Sequence, residues 1–248
     1  MVGTTVKTPE GLPQNLVADE KHTRWVGQKL YLATTAGGEC LLGAWVVESA
    51  SEAALTQAYG VFANEARSLV PDYVPQRVNT DGWPARQAAW KALFPTVTVI
   101  VCFLHAFLKI RDRATKALSE VFAQVSERVW NAYRAPTSAS FAQRLRRLHE
   151  WARRTLPDCP MKAHTLLLCQ KRALFTRSDD HPNAHRTSNL VDRLMTFLDR
   201  ACFNGQYFHG TRASAEHRVR ALALLWNFCP SSPQTVKKHS GMTCPAER

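Results

Sequence analysis

Two aspartates that end short apolar segments are the first candidates for chemistry in this sequence. Asp19 follows the apolar run 16–18, and Asp81 ends a β-type run just before Gly82. If the two segments are neighbouring strands, the spacing between strands places their ends about 5 Å apart. Two carboxylates that close repel each other unless a cation lies between them. Carboxylate oxygens suit Mg²⁺, which also binds phosphate, so the pair predicts phosphoryl transfer.

Each aspartate also has an interpretation without chemistry. Acids at strand ends are often only solvated, and Asp81-Gly82 is a common turn dipeptide. Other reaction types have less support, because the sequence contains no G-x-S-x-G motif, P-loop or G-x-G-x-x-G motif. The order of the surrounding elements therefore decides between the two interpretations.

Strands and helices alternate in the first hundred residues. Short apolar runs predict strands at 16–19, 29–35 and 41–47, at the segment ending on Asp81, and at 97–103. Helical spacing predicts helices at 51–69, capped by Ser51, and at 84–93, opened by Pro84. Gly37-Gly38 predicts a hairpin turn. We expect an α/β fold in which a three-stranded antiparallel meander is extended by two parallel strands.

The second half of the chain is predicted to be helical and basic. Helical patterns cover 106–176, 188–200 and 213–228. Three basic residues follow i, i+4, i+7 spacing, which predicts one helix face: Lys109, Arg113 and Lys116. The formal charge of +12 divides into −1 for residues 1–100 and +13 for residues 101–248. This asymmetry predicts a polyanionic partner such as nucleic acid, and the alternative is a solvated basic face.

The cellular setting is predicted from cysteine usage and hydropathy. Seven cysteines without a C-x-x-C pair favour reduced thiols. The first residues lack the apolar segment of a signal peptide, and the most apolar run, 97–108, is too short to span a bilayer. We expect a soluble, cytoplasmic protein without a membrane partner.

Four segments follow one another between Leu16 and Phe228: "LVADE", "VNTDGWPA", "VIVCFLHAFLKIRDR" and "HRTSNLVDRLMTFLDR". Their order resembles the catalytic core of DDE/D transposases of the bacterial insertion-sequence and Mutator-like type. The resemblance implies an RNase H-like five-stranded mixed sheet flanked by helices, with an all-helical insertion. It also implies metal-dependent DNA strand cleavage and strand transfer. Asp19, Asp81 and Asp192 would be the catalytic acids and would hold two Mg²⁺ or Mn²⁺ ions.

The third acid departs from the family pattern, which more often has glutamate at that position. The alternatives to Asp192 are Asp199, Asp179, Asp180 and Glu150. If Asn189 is an N-cap, Asp192 is the third residue of its helix, where an acid stabilises the helix N-terminus. The catalytic and capping interpretations are compatible.

The resemblance also matches Cys102 and His105 to a Cys-x-x-His motif close to the active site. Basic residues near the motifs are candidate contacts to DNA phosphates: His105, Lys109, Arg113 and Arg186. Cys102 and His105 could instead be half of a zinc site completed by Cys159, His164, Cys169 or His181, although structural zinc sites usually show two close pairs. Trp130 and Trp151 could stack on an unpaired base or pack in the helical core.

The domain organisation follows from the same resemblance. It predicts a leader (1–14), the first part of the core (15–108), a helical insertion (109–176), the C-terminal helices of the core (177–230) and a tail (231–248). Such transposases usually carry a DNA-binding region before the core, and the ending "KKHSGMTCPAER" resembles a point where relatives continue. The sequence therefore leaves three possibilities for the chain: a fragment, a truncated element or a domesticated copy.

The expected partners are transposon ends and target DNA. The resemblance further implies a homo-oligomer on DNA and a nucleoid-associated location. Two alternatives to an active transposase stay open: an inactive core that binds DNA, and an RNase H-like nuclease.

Overall fold

The computed structural model describes residues 9–175 and 183–248 of the chain. The first eight residues of the predicted leader, and the candidate residues Asp179, Asp180 and His181, lie outside the described residues. The chain forms two compact units, Met1–Val99 with Ser188–Arg248 and Ile100–Thr187. The division into five segments that the sequence suggests stays a prediction.

The α/β fold is built on a five-stranded mixed sheet. Its strands lie in the order β3-β2-β1-β4-β5 and comprise β1 (Asn15–Trp25), β2 (Gln28–Gly37), β3 (Cys40–Val47), β4 (Arg77–Thr80) and β5 (Thr98–Val101). β2 pairs antiparallel with both β1 and β3, and β4 pairs parallel with β1. A meander extended by later strands is the arrangement that the sequence predicts.

Two tight turns set the register of the meander. Val26-Gly27 joins β1 to β2, Gly38-Glu39 joins β2 to β3, and all four residues have positive φ. Positive φ at both central residues is the geometry of the type I′ hairpin turn, whose twist matches that of the flanking strands. The second turn lies one residue later than predicted, because Gly37 still pairs with Cys40.

Helices form in both units. Their bounds are α1 (Glu52–Leu69), α2 (Pro84–Leu93), α3 (Phe103–Arg111), α4 (Ser119–Tyr133), α5 (Ser138–Thr155), α6 (Pro160–Gln170), α7 (Asn189–Asn204), α8 (Arg212–Phe228) and α9 (Pro233–Lys238). Among the described residues, none of these helices combines the length and the apolar character needed to cross a membrane.

Alternate strand residues pack into two apolar layers of the first unit. Val17 and Leu32 belong to the layer formed with α7 and α8. Leu16 and Ala18 belong to the layer formed with α1 and α2. The division follows from the two-residue period of a strand, which sends successive side chains to opposite faces.

Local sequence features explain where α1 and α2 begin and how closely α1 packs on the sheet. The side chain of Ser51 accepts a hydrogen bond from the backbone N of Ala54 and caps α1, as predicted. Pro84 begins α2, where its missing N–H costs no hydrogen bond. A Cβ on Gly43 of β3 would come within 2.8 Å of Phe62 Cβ, so glycine allows α1 to pack closely on the sheet.

Asn227 of α8 completes the edge of the sheet. Its Oδ1 accepts a hydrogen bond from Leu41 N at 2.8 Å, and its Nδ2 donates to Leu41 O at 3.0 Å. β3 is an edge strand, and the side chain of Asn227 is fully buried. The amide therefore supplies the partners that a further strand would give.

Asn227→Ala is expected to lower the free energy of unfolding by about 2–4 kcal/mol, because it leaves a buried N–H and a buried C=O without partners. Urea unfolding of the two proteins measures the difference. Asn204→Ala, at the exposed end of α7, is the matched control and is expected to cost about 0.5 kcal/mol or less. Equal losses in the two variants would contradict this account of the sheet edge.

The second unit contains α3 to α6 around its own core. Phe141, Leu145, Leu148 and Ala152 form the buried stripe of α5 at helical spacing. The predicted strand 97–103 is too long, since β5 ends at Val101 and α3 begins at Phe103. Helices cover the region where the sequence predicts them, and their status as an insertion into an RNase H-like core stays a prediction.

The predicted basic face of Lys109, Arg113 and Lys116 is not a single helix face. α3 ends at Arg111, and the next backbone N–H groups bond back only three residues, Arg113 N to Ile110 O and Ala114 N to Arg111 O. These shorter bonds tighten the chain and end the α-helix.

Candidate active site

Asp19 and Asp81 occupy equivalent levels of two parallel strands. The pairing of β1 with β4 joins Val17 to Asn79, and each acid follows two residues later. β4 stops at Thr80, but β1 does not stop at Asp19 as predicted. It continues to Trp25 because β2 still pairs with it, with Asp19 opposite Thr34. The carboxylates therefore meet where the parallel pairing ends.

A cation does lie between the two acids, and it is the side chain of Arg86. Its Nη1 is 2.9 Å from Asp19 Oδ1 and 2.8 Å from Asp81 Oδ1. Because the same nitrogen contacts both carboxylates, Asp19 Oδ1 and Asp81 Oδ1 can be no further apart than the sum of these two distances. The sequence predicts a metal ion between these acids, whereas in this structure the positive charge between them is the guanidinium of Arg86. Binding of a metal by Asp19 and Asp81 stays a prediction.

Glu20 is the third carboxylate on Arg86. Its Oε2 pairs with Arg86 Nε and accepts a hydrogen bond from the hydroxyl of Tyr59 at 3.2 Å. The alternation along β1 explains this contact, because Glu20 lies on the same face as Leu16 and Ala18, towards α1 and α2. Arg86 therefore joins acids from both faces of β1.

The loop before α2 delivers Arg86 to the acids. Asp81 Oδ1 accepts a hydrogen bond from Trp83 N at 2.8 Å, and Gly82 has a φ of +89°. A positive φ favours glycine, and the bond from an aspartate to the N–H two residues on is a common turn feature. With Pro84 opening α2, Arg86 falls in the first turn of the helix, close to Asp81.

Arg86 is almost fully buried, with only 3% of its side chain exposed. Burial alone lowers the pKa of Arg86, but the nearby carboxylates of Asp19, Glu20 and Asp81 raise that pKa by more, well above its ordinary value. Burial also raises the pKa of Tyr59 well above its usual range, although Arg86 opposes that shift. Arg86 is therefore a permanent cation, and Tyr59 a neutral hydrogen-bond donor.

Asp192 lines the same cavity as Asp19. The cavity, of about 480 Å³, is lined by Asp19, Glu20, Lys21, His22, Asp192, Met195 and Thr196. Asp192 is on α7, and its Oδ2 accepts a hydrogen bond from the hydroxyl of Ser188 at 3.2 Å. The N-cap is Ser188 and not Asn189, so Asp192 is the fourth helical residue and no capping-box acid.

The other candidates for the third acid lie elsewhere. Asp199 forms an ion pair with Lys21, and it is not among the residues that line the cavity. Glu150 is an exposed residue of α5 in the Ile100–Thr187 unit. Among the described candidates, Asp192 is the one that shares a cavity with Asp19.

Comparisons with known proteins assign no family to the chain. No protein-family model matches it, and a search of curated proteins gave no significant match. Among solved structures, it is similar to the catalytic core domain of HTLV-2 integrase, described in its dimeric form in complex with magnesium. That likeness covers 62% of this chain and 97% of the integrase chain, at 13% identity and a TM-score of 0.28. Both values are low, so the likeness assigns neither a family nor a function.

The predicted divalent ions can be tested against the residues themselves. The carboxylate oxygens of Asp19, Asp81 and Asp192 are of the chemical type that Mg²⁺ prefers. Within residues 9–175 and 183–248, however, no group of three His, Cys, Asp or Glu side chains is arranged to hold a metal. The guanidinium of Arg86 already occupies the place between Asp19 and Asp81. The donors thus suit the ion, but their arrangement does not fit a metal between the first two acids.

The predicted DNA contacts belong to the Ile100–Thr187 unit. Lys109 and Arg113 are exposed, whereas His105 is half-buried in the first turn of α3. Arg186 donates from Nη2 to Tyr133 O at 2.7 Å, and its guanidinium lies 4.1 Å from the centre of the Tyr133 ring. Arg186 thus has a structural role here, and DNA contact by these four residues stays a prediction.

The remaining candidates of this unit pack within it. Cys102 is the buried N-cap of α3. Trp130 packs on Phe103 and Phe107, which fits its interpretation as core. Trp151 is half-buried and carries the guanidinium of Arg128 4.5 Å from its ring centre.

Sequence reasoning missed Arg86, Glu20 and Tyr59 as members of the site. A signal for Arg86 was available, because Arg86, Ala89, Trp90 and Leu93 follow the i, i+3, i+4, i+7 spacing of a buried helix stripe. An arginine on such a stripe requires carboxylate partners. Glu20 and Tyr59 carry no comparable signal, since their meeting depends on how α1 packs on β1.

Proposed function

We propose that this chain is a DNA transposase core of the DDE/D type. Asp19, Asp81 and Asp192 are its catalytic acids in this proposal. The reaction is hydrolysis of a phosphodiester at the element's end, followed by attack of the freed 3′ hydroxyl on target DNA. The supporting observation is that Asp81 and Asp192, both far from Asp19 in the sequence, each lie near it in the fold. Asp81 shares a guanidinium nitrogen with Asp19, and Asp192 shares a cavity with it.

The charge distribution supports DNA as the substrate. Residues 100–187 carry 16 Lys/Arg and 7 Asp/Glu, a net formal charge of +9 out of the +12 of the whole chain. Four arginines of α5 in this unit are exposed: Arg146, Arg147, Arg153 and Arg154. Clustered arginines bind phosphodiester backbones, and such binding weakens steeply as salt rises. Assembly of several copies on paired DNA ends is part of the proposal.

A second candidate function is DNA binding without cleavage. The observation that favours it is the position of Arg86, which neutralises Asp19 and Asp81 without a metal. A truncated or domesticated core with this arrangement would keep its basic surface and lose strand cleavage.

One experiment separates the candidates. The purified chain is incubated with a DNA fragment that contains its own gene and flanking sequences, in Mg²⁺ and separately in Mn²⁺. Strand breaks at defined flanking positions, followed by joining to a second DNA, are expected for a transposase. Binding that weakens with salt, without breaks in either ion, would support the second candidate. Cutting of DNA junctions or RNA–DNA hybrids without joining would indicate a nuclease, and the absence of both binding and cutting would refute all three.

A further inference from the structure

We propose that Arg86 is the resident cation of the acid cluster formed by Asp19, Glu20 and Asp81, and that it excludes a divalent ion from the place between Asp19 and Asp81. The inference goes beyond the proposed function, because the cation held by these acids can be measured whether or not the chain cleaves DNA. It bears on that function, because a divalent ion can enter between Asp19 and Asp81 only if Arg86 moves away.

The contacts of Arg86 are those of a cation shared by several anions. Nη1 contacts Asp19 and Asp81, and Nε contacts Glu20. One positive charge thus faces three carboxylates, of which Glu20 is nearly buried and Asp19 and Asp81 are partly exposed. A divalent ion between Asp19 and Asp81 would have to lie where Nη1 now lies, next to the rest of a positive guanidinium. Two cations that close repel each other strongly in a buried site.

The contacts between Arg86 and the carboxylates are ion pairs. Nε and Nη1 of Arg86 are buried atoms that lie at ion-pair distance from the three acids. A guanidinium is strongest when its planar N–H groups point at carboxylate oxygens. A metal ion has no such directional requirement. If the guanidinium is removed, a divalent ion can therefore take over the same carboxylates.

Removing the charge of Arg86 is expected to lower the stability of the fold. Without the charge of Arg86, Asp19, Glu20 and Asp81 would be left close together and uncompensated, and the cost is greatest at the nearly buried Glu20. A divalent ion would relieve that repulsion, so the stability of an Arg86→Gln variant becomes dependent on metal. In the unaltered chain Arg86 already neutralises these acids, so a metal ion is expected to add little stability at Asp81.

The test measures Mn²⁺ binding, by electron paramagnetic resonance titration, and the melting temperature with and without Mn²⁺. Arg86→Gln is expected to bind Mn²⁺ at least about tenfold more tightly than the unaltered chain, because a neighbouring positive charge is gone. Its melting temperature is expected to fall without the ion and to rise several degrees with it. Arg24→Gln removes an equal charge from an exposed position of β1 and is expected to change neither quantity.

A second comparison keeps the positive charge at residue 86. Arg86→Lys retains a cation beside the acids and is expected to bind Mn²⁺ as weakly as the unaltered chain. Mn²⁺ affinity in Arg86→Lys as high as in Arg86→Gln would overturn the inference, as would equal Mn²⁺ affinity of Arg86→Gln and the unaltered chain. Absence of DNA cleavage would count against the proposed function and would leave these binding results standing.

Discussion

Asp19→Asn and Asp81→Asn are each expected to reduce DNA strand cleavage at least about a hundredfold, a loss of about 3 kcal/mol in transition-state stabilisation. Asparagine retains the shape of the side chain and removes its charge, which is what the proposed chemistry requires of these acids. DNA affinity is expected to change little, because the basic charge lies mainly in residues 100–187. Quantified cleavage of end-labelled DNA, beside a DNA-binding titration, measures both quantities.

Folding should survive these two substitutions, because Arg86 keeps two of its three carboxylate partners in each variant. Asparagine is therefore preferable to alanine, which would also remove the side-chain acceptor. Asp72→Asn, at an exposed acid after α1, is the matched control and should cleave like the unaltered chain. Full cleavage activity in Asp19→Asn or Asp81→Asn would show that these acids are not catalytic.

Trp90→Ala is expected to destabilise the first unit by about 3–5 kcal/mol, the usual cost of removing a buried aromatic side chain and leaving a cavity. Trp90 is fully buried, and its ring packs on those of Tyr59, Phe62 and Phe94 at centre-to-centre distances of 5.1, 6.2 and 5.8 Å. Trp90 lies on the same face of α2 as Arg86, so its loss is also expected to weaken the contacts of Arg86 with the acids. Urea unfolding gives the free energy.

Trp83→Ala is the natural control, because Trp83 precedes the same helix but is 51% exposed. Its contact with Asp81 is through the backbone N–H, which alanine retains. The expected cost is about 0.5 kcal/mol or less. Similar losses for Trp83→Ala and Trp90→Ala would mean that the aromatic cluster of α1 and α2 contributes less than its burial indicates.

Local patterns predicted much of the fold because their causes are local. The hydroxyl of Ser51 caps α1 and Pro84 opens α2, and neither effect depends on distant residues. Gly37-Gly38 predicted the hairpin to within one residue, since a type I′ turn needs two residues that tolerate positive φ. The mixed sheet follows from the spacing of its strands and the helices between them.

Boundaries were less predictable where tertiary contacts extend or end an element. β1 continues past two acids to Trp25 because β2 offers backbone partners, which no pattern in β1 itself encodes. α3 starts at Phe103, inside an apolar run that reads equally well as a strand, because Phe103 packs among the aromatic rings of the helical unit. A short apolar run cannot distinguish these outcomes.

The sequence by itself determined only that Asp19 and Asp81 would need a cation between them if their strands were neighbours, since two carboxylates that close repel each other without one. Only the tertiary structure decided that the cation is Arg86, because its side chain reaches the acids through the turn at Gly82 and the packing of α2. The same holds for Glu20 and Tyr59, which come together through the packing of α1 on β1. Charge sets the need for a partner, but the choice of partner depends on distances that arise only when separate elements pack together.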